Sequence, residues 1–129
     1  MATDTIVAQA TPPGMGALAV VRLSGPQAAA IGSRLAGLDE GALEARRPVL
    51  RTLAFPGSEE HLDRALLTFF PGPGSYTGED VVEVSTHGGY LIPRSVVEAC
   101  VALGAREARP GEFTHSCLLY TSPSPRDCN

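Results

Sequence analysis

With 129 residues, 43% of them hydrophobic, and a formal net charge of −4, the chain can fill one modest core and demands no second one. The acidic balance excludes a surface that tracks phosphates unaided, because nucleic-acid binders present a basic patch or stripe; contact with RNA would need help from elsewhere. All ten basic residues are Arg, and without Lys the chain cannot supply a P-loop lysine or hydrolyse a nucleotide by that route.

In chain order, DTIVAQA (4–10) predicts a strand, TPPGMG (11–16) a turn and ALAVVRLSG (17–25) a second strand. Pro26 marks a first helical position, and apolar residues at 28, 31, 35 and 38 give one amphipathic helix that ends among glycines. Residues 39–48 are polar and irregular. VLRTLAF (49–55) and DRALLTFF (63–70) read as strands of a hairpin joined by PGSEEHL, and DVVEVSTH (80–87) as another strand. LIPRSVVEACVALG (91–104) predicts a helix with Pro93 near its start, AREAR (105–109) a short edge strand, and RPGEFT the onset of a further helix. The expected fold is α+β, a mixed β-sheet with two main helices, and not a doubly wound parallel sheet. No stretch reaches the roughly 18 apolar residues of a membrane helix, and the N-terminus lacks the features of a signal peptide, so a soluble, cytoplasmic protein is expected.

Residues 117–127, CLLYTSPSPRD, have no helical or strand period and can be spelled as a transposon adapter used for sequencing libraries. The domain is therefore expected to occupy residues 1–116, with 117–129 a non-native tail set aside from the fold. One of three cysteines then remains, Cys100 within VVEACVALG, read as a buried small hydrophobe; neither a disulfide framework nor a metal cluster is available. The glycines of PPGMGALAV lie between two strands instead of at a strand-to-helix turn, so a dinucleotide fingerprint fails its context. His61, His87 and His115 lack metal-ligand spacing, and no Ser or Cys occupies a nucleophile elbow.

Two charges on strands stand out. Arg22 shares a face with Leu18 and Val20, and Glu83 shares one with Val81 and Ser85. Each requires a partner or an exposed face. One reading is pairing with other side chains or simple exposure to water. The other is a flat ligand on the sheet, whose guanidine-like edge donates two parallel hydrogen bonds to a carboxylate and whose own carboxylate is gripped by an Arg. A folate has both groups.

DTIVAQATPPG (4–14), VRLSGP (21–26), FPGPGSYTGEDVVEV (70–84), THGG (86–89) and ARPGEFT (108–114) together resemble the N-terminal domain of the tRNA modification GTPase MnmE (TrmE) family, in order and spacing. The resemblance implies a fold related to the folate-binding domain of the glycine-cleavage T-protein, binding of a one-carbon tetrahydrofolate such as 5-formyltetrahydrofolate, and homodimerisation. It carries folate contact to Arg22 and Glu83, the same two residues. Full-length relatives add a helical domain and a GTPase domain, which uses GTP, Mg and K, and act on the wobble uridine C5 of tRNA with the flavoprotein MnmG. This chain is expected to have no GTPase activity of its own.

The chain departs from the family pattern at Met15 and Ala17, where Arg and Gly are usual, at Gly74 in place of Asn, and at Ser85-Thr86 before HGG. After PGEFT, where the family carries a folate-site Lys, this sequence has the tail, and it is expected to lack the GTPase domain and the C-terminal cysteine motif. Pro71, Pro73, Gly72, Gly74 and Gly78 are expected to shape a tight loop, with residues 77–80 shaping or capping it. Tyr76 would stack on a ligand or pack locally; His87 would touch the ligand or brace the turn. Three functions stay open: a folate-binding, dimerising module of a tRNA-modifying GTPase, a stand-alone aminomethyltransferase-like folate protein, or a dimerisation module with a decayed folate site. Exposed strand edges such as DTIVAQA are expected to offer a pairing surface.

Overall fold

The computed structural model describes residues 4–14, 16–75 and 77–113; expectations for Met15, Tyr76, His115 and the 117–129 tail lie outside them. Six strands and two helices follow in the predicted order: β1 (Ile6–Gln9), β2 (Leu18–Ser24), α1 (Ala28–Leu35), β3 (Val49–Ala54), β4 (His61–Phe70), β5 (Val81–His87), α2 (Leu91–Ala102) and β6 (Arg106–Glu107). They form a single mixed sheet ordered β3-β4-β5-β2-β1-β6, antiparallel throughout except for the parallel β1–β6 pair. This is the α+β architecture expected.

Alternation along the strands separates the two faces. Val7, Val21, Leu23, Val82, Val84 and Leu67 point to one side and are buried at 3% exposure or less, packed beneath Ile31 and Leu35 of α1 and Val96, Val97 and Cys100 of α2. Burial pushes the Cys100 thiol up to about 12, so it acts as the small hydrophobe expected. Neither α1 nor α2 packs on the opposite face. Along it, Arg22, Glu83 and Thr68 lie side by side across β2, β5 and β4, in register.

Local chemistry sets the helix ends. At the start of α1, Thr5 Oγ1 accepts the Gln27 N–H at 2.7 Å, so a side chain from beside β1 satisfies a donor that the helix itself cannot. Pro26 precedes the helix instead of opening it, because the chain is still turning out of Gly25. Both helices end alike: Leu38 N–H reaches Ser33 O at 2.8 Å and Ala105 N–H reaches Cys100 O at 3.0 Å, with Gly37 (φ 67°) and Gly104 (φ 118°) in the conformation this closure requires. The hairpin strand β4 begins at His61, earlier than the pattern implied, because a bulge at Leu53/Ala54 lets His61 pair with Ala54.

One expectation is corrected. DTIVAQA is not a free sheet edge: Arg106 N–H bonds to Thr5 O at 2.8 Å and Ala108 N–H to Val7 O at 2.9 Å, so β6 covers that side. The sheet's edges are β3 and β6. Among the described residues, no helix is long and apolar enough to cross a membrane.

Candidate functional site on the open face of the sheet

The open face is not open everywhere. Ser24 and Val81, paired in the row next to Arg22 and Glu83, are 1% and 0% exposed although neither α1 nor α2 covers them. Loop 71–80 covers them. Its Thr77, itself 1% exposed, meets the Ser24 hydroxyl at 2.7 Å, and Gly25 N–H bonds to Asp80 O at 2.9 Å. Within the loop, Asp80 Oδ1 accepts the Gly72 N–H at 3.0 Å, and Ser75 Oγ donates to Glu79 O. Burial and the adjacent Asp80 charge push the Glu79 carboxyl up. A Cβ on Gly72 would stand 2.6 Å from Gly78 O, so the strands of the loop approach as closely as only glycine permits. Residues 77–80 thus shape the loop, and the loop walls one side of the Arg22–Glu83 row.

Arg22 and Glu83 face each other directly. Arg22 Nε and Nη2 both donate to Glu83 Oε2, at 3.0 and 2.8 Å, and the two side chains remain 13% and 30% exposed. Pairing, one of the alternatives open from sequence, is therefore what the geometry shows of them, on a face that solvent still reaches. On the far side of Arg22 a cavity of about 470 Å³ opens, lined also by Ala8, Glu107, Arg109, Glu112 and Phe113; Glu83 is not among its lining residues.

At the other end of β5, His87 is held by Asp63. Its backbone N–H donates to Asp63 Oδ2 at 2.8 Å, and its ring Nδ1 lies 2.9 Å from Oδ1. Burial works to raise the Asp63 carboxyl, but the bonds from His87 and the Arg64 backbone outweigh it and hold it below the usual carboxylate range. Asp63 thus ties His87 to β4 next to the turn into α2, the position from which a bracing role was expected. Asp63 had no signal in the sequence, nor did the Ser24–Thr77 pair, since both contacts join distant segments.

A family model described as GTP-binding protein TrmE N-terminus matches residues 5–120. The chain belongs to this family. It is similar to the tRNA modification GTPase MnmE of Marinomonas sp. (strain MWYL1), 44% identical over 116 residues that cover 90% of this chain and 24% of that protein. It is 47% identical over 116 residues to the MnmE of Wolinella succinogenes, covering 90% and 25%, and 45% identical over 119 residues to that of Legionella pneumophila (strain Corby), covering 92% and 26%. The chain thus spans about a quarter of the length of these curated relatives. Membership in the TrmE N-terminal family agrees with the five sequence blocks, and the loop 71–80 that walls one side of the Arg22–Glu83 row lies within the longest of them, 70–84.

Proposed function

We propose that this chain is the folate-binding, dimerising N-terminal domain of a tRNA-modifying GTPase, with Arg22 and Glu83 as its ligand-contacting pair. The observation that carries the reading is a charged pair left partly exposed on the sheet face opposite α1 and α2, between a built loop wall and a cavity of a volume usual for small-molecule sites. The residues fit a one-carbon tetrahydrofolate such as 5-formyltetrahydrofolate. Both bonds between Arg22 and Glu83 land on one oxygen of Glu83, which leaves the carboxylate able to accept from a flat ligand's edge.

The fold would then be related to the folate-binding domain of the glycine-cleavage T-protein, which the family resemblance implies and an α+β sheet with one bare face allows. Homodimerisation would use that face. Leu18, Leu50 and Leu66 are 66%, 51% and 44% exposed on it, and apolar side chains clustered on one surface favour association. In the whole protein, GTP, Mg and K would belong to the GTPase domain, and tRNA and the flavoprotein MnmG would be partners in wobble-uridine modification in the cytoplasm. Calorimetric titration of 5-formyltetrahydrofolate into the chain tests the reading: saturable binding at one site per chain is expected, and no heat of binding by a folded protein would leave a dimerisation module with a decayed site.

A further inference from the structure

We propose that the cavity under residues 107–113 takes the acidic tail of the ligand, and that Arg109 is the residue that selects for its carboxylate. The inference rests on the folate reading above and deepens it. Ala8, Ala10, Ala108, Pro110 and Phe113 give the cavity apolar walls suited to an aromatic ring. Two carboxylates share the lining, and every oxygen of both is engaged. Glu107 receives Arg94 Nη1 on Oε2 at 2.7 Å and Nη2 on Oε1 at 2.9 Å. Glu112 receives Arg106 Nη1 and Nη2 at 3.1 and 2.7 Å, and the Arg109 backbone N–H at 2.8 Å. The Arg106 guanidinium holds Glu112 down at about 2, so that this pair stays ionised and closed at neutral pH.

The two lining guanidiniums differ. Arg22 is bonded to Glu83, whereas among the described residues the Arg109 guanidinium makes no hydrogen bond or ion pair, and its charge acts on Glu112 only at longer range. A planar group of five donors beside an apolar cavity whose own acids are already matched is complementary to an aromatic acid. A folate runs from a ring head through a benzoyl group to a glutamate. Because Arg22 lines the cavity and Glu83 does not, the head belongs at Glu83 and the tail runs past Arg22 towards Arg109.

The test compares 5-formyltetrahydrofolate with its glutamate diamide, the same molecule with both tail carboxylates turned into neutral amides, by calorimetry on the wild-type chain and on Arg109→Gln. Wild type should bind the acid about tenfold more tightly, as expected for one charge-assisted bond near solvent. Arg109→Gln should bind both forms with the affinity that wild type shows for the diamide, which also demonstrates that the variant is folded. Equal binding of the two forms by wild type, or an undiminished preference in Arg109→Gln, overturns the inference while leaving the folate reading standing. Binding of neither form by wild type overturns both.

Discussion

At the scale of single residues, the ion pairs of this domain include two-pronged forks that engage both carboxylate oxygens and one pair, beside a cavity, whose bonds land on a single oxygen. The Arg106–Glu112 fork is of the first kind. Glu112 has its folded-state value lowered from 4.5 to about 2, first by the Arg106 hydrogen bonds, with burial opposing them. A lowered value means that its stabilising contribution is complete above about pH 4.5 and is lost as the pH falls towards about 2. Melting temperatures followed across that window should drop less steeply for Glu112→Gln than for wild type; parallel profiles would deny Glu112 this role. Arg22 and Glu83 are of the second kind. Their importance was legible in the sequence because a charge among apolar strand residues breaks a local pattern. Their contact was not, since they are 61 positions apart and only the β2–β5 register brings them together.

At the scale of elements, helices and strands were legible almost to the residue where period and breakers agree, as in α2 and β5. The misplacements occurred where a distant segment decides. Thr5 reaches across to start α1, a bulge lengthens β4, and β6 adds in parallel to β1, removing the edge that the DTIVAQA pattern offered. Loop 71–80 belongs to this scale too. Its composition announced a tight turn, but its function as a wall depends on Thr77 meeting Ser24, 53 positions away. Thr77→Val keeps the shape and leaves a buried hydroxyl without its partner, at a cost of about 1–3 kcal/mol. Thr77→Ser should restore most of that stability and also the ligand affinity lost with the wall; a valine variant as stable as wild type would show that the hydroxyl pair does not anchor the loop.

At the scale of the whole molecule, α1 and α2 both pack on one side of the six-stranded sheet, and among the described residues neither reaches the other side. Leu50, Leu66, Ser85 and Val20 fall in one row across β3, β4, β5 and β2, a mostly apolar band beside the Arg22–Glu83 row. If a second copy covers it, light scattering should show dimers at micromolar concentration and Leu66→Glu should shift them to monomers without lowering the melting temperature. A monomeric wild type would place the interface elsewhere. The central claim, that this face holds a folate through Glu83, is tested most directly by calorimetric titration of 5-formyltetrahydrofolate into Glu83→Gln beside a melting curve. The substitution keeps the size but turns one acceptor into a donor facing donors. Loss of a charge-assisted hydrogen bond of roughly 1.5–3 kcal/mol predicts affinity reduced about tenfold to a hundredfold in a protein that remains folded. Unchanged affinity in Glu83→Gln would contradict the account.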